Sequence, residues 1–199
     1  SFKAFCFSYI SRYTRLVPPF EQLRTEARYF LDEHSSRDAF AAYYTLFHDS
    51  ARTQIFLNHD KDGHVNGLLT RAQTGMDLFR PVVVLRASDD QVAASLLNTG
   101  LQLHRPYYLI APISLGVVVN RTVSVTDSEI LRLYRLDVSR FNSQINVLAV
   151  ASRAPDGSPR FEIGSNGKVH ARAGVNWRSP YFAEVYVYTE REARGRGWG

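Results

Sequence analysis

A chain of 199 residues, 45% hydrophobic and 22% charged, has ordinary globular composition and room for one large domain or two small ones. Its 24 basic and 19 acidic residues leave a formal charge of +5, and all but three of the bases are arginine, which permits phosphate-bearing partners without requiring them. No run approaches the roughly 18 uninterrupted apolar residues of a membrane span, and no leader pattern opens the chain. The single cysteine, Cys6, excludes an internal disulfide and is read as an incidental thiol, so a cytoplasmic location and no membrane partner are expected. No Cys/His cluster has ligand spacing and no metal is expected. A nucleic-acid partner would rest on charge alone, because no recognition helix or paired aromatic-basic strand motif is present.

Taken in chain order, Phe20 to His34 places Phe20, Leu23, Ala27, Phe30 and Leu31 at helical spacing just after Pro18-Pro19. A second helix is expected from Ser35-Ser36, with Phe40, Tyr43, Tyr44 and Phe47 on one stripe, and the two should pack as a hairpin. Thr53 to Asn58 and Val65 to Thr70 read as strands around an Asp60-Lys61-Asp62-Gly63 turn. Pro81-Val82-Val83-Val84-Leu85 has the continuous apolar character of a strand buried on both faces. Ser88-Asp89-Asp90-Gln91 reads as a capping box opening a helix that ends near Gly100. A strand at Tyr107 to Ile110, a short apolar segment at Ile113 to Val119 and strand-like sequence from Thr122 to Leu136 complete the first part.

From Gln144 the texture becomes that of hairpins: Asn146 to Ser152, a Pro155-Asp156-Gly157 turn, Arg160 to Gly164, an Asn166-Gly167 turn, Val169 to Gly174, and Phe182 to Thr189. The Asn-Gly pair is the strongest local signal, since a type I′ turn needs positive φ at both central residues. No Pro/Gly/Ser-rich linker separates the parts. The division is placed at Ser139 to Ser143, giving residues 1–140 and 141–199. The fold class is mixed α/β (α+β), a mostly antiparallel sheet flanked by helices.

Phe182 to Thr189 is expected to be a buried, central strand with Val185 and Val187 on one face, and it runs into Glu190-Arg191-Glu192-Ala193 and then a loop with three alternating glycines. Glycines let backbone N–H groups converge on an anion, so such a loop can cradle phosphate; a flexible basic terminus has the same composition. Arg194-Gly195-Arg196-Gly197-Trp198-Gly199 resembles motif A of the GNAT superfamily of acyl-CoA N-acyltransferases, Gln/Arg-x-x-Gly-x-Gly/Ala, with Arg194, Gly197 and Gly199 on the defined positions and Arg191 where many members have proline. The antiparallel meander before it is similar to the family's approach to that motif, and the resemblance covers about the last quarter of the chain.

The resemblance implies acetyl-CoA as acyl donor and an amine acceptor of unknown identity. It implies that Arg194, Gly195, Arg196, Gly197, Trp198 and Gly199 hold the pyrophosphate, and that Val187, Tyr188 and Thr189 at the strand end hold the pantetheine arm. It also implies a helix, a parallel strand and the acceptor side beyond Gly199, so that the 199-residue chain alone is expected to bind the coenzyme weakly and to be inactive. The order of elements in the first part is that of a degenerate GNAT-like copy, in which Arg86-Ala87-Ser88-Asp89-Asp90-Gln91 stands at the motif A position with no glycine and two carboxylates that would repel a pyrophosphate.

Direct attack of an amine on a thioester requires a base for the ammonium proton. Glu184, the only charged residue of its strand, is the candidate, because some family members carry a basic glutamate there; a structural carboxylate pairing with Arg172 or Arg178 is the competing reading. Tyr186 and Tyr188 share its face by two-residue alternation and read as packing residues. The six histidines lack triad spacing. A different class of function, a non-catalytic GNAT-like module binding a ligand or partner, fits the same residues. An unpaired fourth strand would expose an edge through which a homo-oligomer can form.

Overall fold

The computed structural model describes residues 19–75, 77–134, 136–142, 147–154 and 157–198. Over these residues the protein is mixed α and β, with two four-stranded, mostly antiparallel sheets and four α-helices. The expected features at Cys6, Pro18, Asn146, Pro155-Asp156 and Gly199 lie outside the described residues.

Helix α1 (Phe20–Phe30) starts behind Pro19 and stops three to four residues earlier than its apolar spacing suggests. The Asp38 carboxylate accepts the Asp32 N–H at 3.1 Å and fixes the turn beyond Leu31. The second helix is broken into pieces: a 3-10 turn at Ser36–Asp38, α2 (Ala39–Ala42) and a π turn at Tyr43–Phe47. A π turn widens the helix by one residue. The expected aromatic stripe is therefore split, with Tyr44, Thr45 and Leu46 buried together and Phe40 and Tyr43 left half-buried on another side. Arg24 ties the pair into a hairpin by donating to the carbonyls of Thr45, at 3.1 Å, and His48.

The first sheet has the order β1 (Thr53–His59), β2 (Val65–Ala72), β3 (Val82–Ala87) and β4 (Tyr108–Ile110), antiparallel except for the parallel pair β3/β4. The β1/β2 turn uses Gly63 at φ +84°, and Asp60 Oδ1 accepts the N–H groups of Asp62 and His64. The continuous apolar run of β3 is explained by helices on both sides. Val83 and Leu85 pack with α3 (Asp90–Gly100) and α4 (Gly116–Thr122), whereas Val84 packs with Ala27, Ala42, Tyr44 and Leu46 of the helix pair. Helix α3 lies so close to β2 that a Cβ on Gly67 would sit 2.4 Å from Val92 Cγ1.

Two expectations for this part are corrected. The cap of α3 is Asp89, whose carboxylate accepts from Val92 N at 2.9 Å, and not the Ser88 hydroxyl, which donates to that same carboxylate. Among the described residues, the strand-like sequence from Thr122 to Leu136 forms no strand: Thr122 ends α4, residues 124–134 carry no regular structure, and Ile130 and Tyr134 are exposed. Alternating apolar residues make a strand only where a neighbouring strand accepts them.

The second sheet runs β5 (Val150–Arg153), β6 (Pro159–Ser165), β7 (Lys168–Arg178), β8 (Ala183–Thr189), each pair antiparallel. Asn166 at φ 50° and Gly167 at φ 77° form the two-residue β6/β7 turn that the Asn-Gly pair predicts. Gly164 accommodates the accompanying bulge, since a Cβ there would lie 2.6 Å from the Lys168 carbonyl oxygen. The expectation of a buried, central last strand is overturned. Among the described residues β8 pairs with β7 alone, so it is an edge, and Val185 and Val187 are 67% and 57% exposed.

Candidate functional site

The residues after β8 build an open cleft of about 270 Å³ lined by Thr189, Ala193, Arg194, Gly195, Gly197 and Trp198. The chain leaves the sheet at Glu190, whose N–H donates to the His170 carbonyl at 2.9 Å, and folds through a 3-10 turn at Arg191–Ala193 that buries Ala193 against the sheet end. Arg194 then turns back, its Nε donating to the Thr189 carbonyl at 3.2 Å. Gly195 and Gly197 both have positive φ, +78° and +70°, a conformation L side chains rarely adopt. Among the described residues, no group accepts the backbone N–H of Gly197 or Trp198.

Charge around the cleft is arranged in two sets. The carboxylates Glu190 and Glu192 lie beside Lys168, at 3.0 and 3.8 Å, and the Glu190 hydrogen bond holds the lysine above its ordinary range, as a fixed cation. His170 adds to this set, with Nδ1 3.7 Å from Glu190 and Nε2 2.9 Å from the Ser165 hydroxyl. Arg194 lines the cleft, and the exposed Arg196 places its guanidinium over the Trp198 ring at 5.2 Å. Two cations, two positive-φ glycines and unengaged amides suit an anion of diphosphate size.

Glu184 does not line this cleft. It stands at the other end of β8, five residues from Thr189, or about 17 Å along an extended strand. Neither arginine suggested by sequence pairs with it: Arg172 Nε binds Glu162 at 3.0 Å, and Glu184 Oε2 accepts instead from Asn176 Nδ2 at 3.1 Å. Of the strand-end residues, Val187 projects from the exposed face with Val185, Tyr188 is 56% exposed, and Thr189 enters the cleft. Tyr186 packs over Gly174, where a Cβ would lie 2.8 Å from its ring.

Sequence alternation misses the surroundings of Glu184. Val169, Ala171, Ala173, Val175 and Trp177 would share one face, but a bulge at Asn176 shifts the register so that Val175 opposes Val185 while Trp177 opposes Glu184. Trp177 thereby turns to the helix pair, stacking on Tyr43 at 4.5 Å and 15° and meeting the edge of Phe40 at 5.6 Å. The alternation itself does not mark this, because Asn176 falls on a polar position of the pattern with His170 and Arg172. In the first part, Ser88 to Gln91 presents the Asp89 carboxylate engaged in capping, and Arg86 is bound to the buried Asp38.

Among the described residues no group of three or more His, Cys, Asp or Glu could hold a metal ion, and no helix is long and apolar enough to cross a membrane. Comparison of the chain with protein-family models, with curated proteins and with solved structures finds no match in any of the three.

Proposed function

We propose that the protein is built as a GNAT-like acyl-CoA N-acyltransferase, in which the 191–199 loop receives the coenzyme pyrophosphate and Glu184 serves as base towards a primary amine. The observation that carries the reading is the loop itself. Its motif A spacing coincides with positive φ at Gly195 and Gly197, Gly197 and Trp198 amides free of internal partners among the described residues, and a cleft at the end of an antiparallel meander. The position of Glu184 supports it. In acyl transfer the base acts at the thioester, one pantetheine length away from the pyrophosphate, and the roughly 17 Å between the two ends of β8 is a comparable reach.

The first part supports a tandem arrangement: helix pair, hairpin, buried strand, helix and a parallel strand, with carboxylates where a phosphate loop would stand. That copy is read as not binding coenzyme. Acetyl-CoA would be the acyl donor, held by Val187, Tyr188 and Thr189 along its arm and by Arg194 to Gly199 at its pyrophosphate.

Equilibrium binding of acetyl-CoA tests this. Loop amides and two arginines without the dipole of a long helix support affinity on the order of 1 mM, about 4 kcal/mol. Saturable binding in that range is expected, displaced by inorganic pyrophosphate and lost in Gly197→Val, whose side chain is incompatible with φ +70°. Binding unchanged in Gly197→Val and in Arg194→Ala would remove the reading.

A further inference from the structure

We infer that the cleft between α1 and the β1/β2 hairpin is a binding site for a neutral aromatic compound carrying a hydroxyl group, with that hydroxyl donating to His59 Nδ1. The cleft, of about 400 Å³, shares no lining residue with the 191–199 loop, so the site is independent of the acyltransferase reading.

Two elements build the cleft. Glu26, Tyr29 and Phe30, spaced i, i+3, i+4, stand on one side of α1. Opposite them, alternation along β1 carries His59 to the face of Leu57, which packs against the helix pair. A bulge then seats Val65 opposite His59 in place of the polar Asn66. The register pairs Asn58 with Gly67 but His59 with Val65, and Asn66 Oδ1 is left to accept from Asn58 Nδ2 at 2.7 Å. In the turn, Asp60 Oδ1 accepts the N–H groups of Asp62 and His64, and Gly63 leaves open space where a Cβ would stand.

The polar groups of the cleft select its ligand. His59 Nε2 lies 3.0 Å from Glu26 Oε2, and Glu26 Oε1 accepts from Gln22 Nε2 at 2.9 Å. An ionised carboxylate only accepts, so Nε2 carries the proton and the neutral imidazole keeps its lone pair on Nδ1. Among the described residues no group bonds that nitrogen, and it is open to an incoming O–H. An anion would meet the carboxylates of Glu26 and Asp60, whereas an ammonium would find both Glu26 oxygens already engaged. The remaining walls are apolar. Tyr29, 89% exposed, presents its ring to a flat ligand, with Phe30 and Val65 half-buried beneath. An apolar cavity of about 150 Å³ holds a benzene ring, so this larger cleft has room for two fused rings.

The test is a titration followed by backbone amide shifts at about pH 8, where an imidazole is neutral. The probes are 2-naphthol and 2-methoxynaphthalene, which keeps the rings and the oxygen but has no proton to donate. Saturable shifts at Tyr29, Phe30 and Gly63 to Val65 are expected with both, at concentrations roughly threefold to tenfold lower for 2-naphthol, the effect of one hydrogen bond. His59→Phe, which keeps a ring and removes the acceptor, should abolish that preference. Tyr29→Ala, at an exposed position, should weaken both compounds about threefold or more. Equal affinity for the two compounds, a preference retained in His59→Phe, affinity unchanged in Tyr29→Ala, or no saturable shift in the cleft would overturn the inference. Naphthalene-2-carboxylate should bind more weakly than 2-naphthol, and tighter binding of this anion would overturn it equally.

Discussion

Truncating Trp177 to alanine should loosen the second sheet from the helix pair. Its side chain is 6% exposed and bears on two rings, the stacked Tyr43 and the edge-on Phe40, so removal is expected to cost about 3–5 kcal/mol. Tyr43→Ala, at a half-buried position, should cost less, about 1–2 kcal/mol. Because each ring covers the other, the two losses overlap. The double variant should be less destabilised than the sum by about 1 kcal/mol, the worth of an offset aromatic pair. Trp177→Phe keeps most of the contact and relieves the unpartnered indole N–H, so it should lose less than about 1 kcal/mol. Urea unfolding followed by far-ultraviolet circular dichroism measures all four, since indole emission would change with the mutation itself; the comparison holds if the denaturant slope is constant. Strict additivity, within about 0.3 kcal/mol, would refute the claim that the halves share a packed seam.

Other predictions follow from the first part. Gly67→Ala places a Cβ 2.4 Å from Val92 and 2.9 Å from Leu96, and overpacking β2 against α3 should cost about 1–3 kcal/mol in the same assay. Asp38→Ala leaves the Arg86 guanidinium, 16% exposed, without its carboxylate and should cost about 3–5 kcal/mol, with Asp38→Ala/Arg86→Met recovering part of the loss. Asp89 is held below its ordinary 3.8 by the Val92 N–H and then the Ser88 hydroxyl, so its stabilisation is present above that value and fades as pH falls through the lowered one. The stability gap between the wild type and Asp89→Ala should accordingly be constant from neutral pH to about 5 and close in strong acid; a gap that widens on acidification would contradict the cap assignment.

Much of the fold is legible wherever a local rule and a tertiary partner agree. Asn166-Gly167 makes its type I′ turn because the demand for positive φ is local, and the apolar run at Val82 to Leu85 is buried because helices cover both faces. Reading fails where a partner decides. Thr122 to Leu136 has strand-like alternation without a strand to pair with, and Phe182 to Thr189 has the composition of an interior strand while paired on one side only among the described residues. The loop of the candidate site is legible because glycine spacing is itself the conformational requirement. Its companion at Glu184 is legible only as a charge in an apolar strand. The rings near the Trp177 side of that strand pair come from helices more than 130 residues earlier, through a bulge that the sequence alternation does not mark. The ion pair of Asp38 with Arg86 is hidden for the same reason: 48 residues separate two groups that only the sheet and helix pair bring together.

The central claim, that the 191–199 loop is a coenzyme pyrophosphate site, is tested most directly by mapping backbone amide shifts while acetyl-CoA is added. The account predicts saturable shifts concentrated at Thr189 and Arg194 to Trp198, the same pattern at the loop with inorganic pyrophosphate, and additional shifts along Val187 and Tyr188 with the full coenzyme only. Shifts centred on Ser88 to Gln91, or scattered over the arginine-rich surface without saturation, would contradict it.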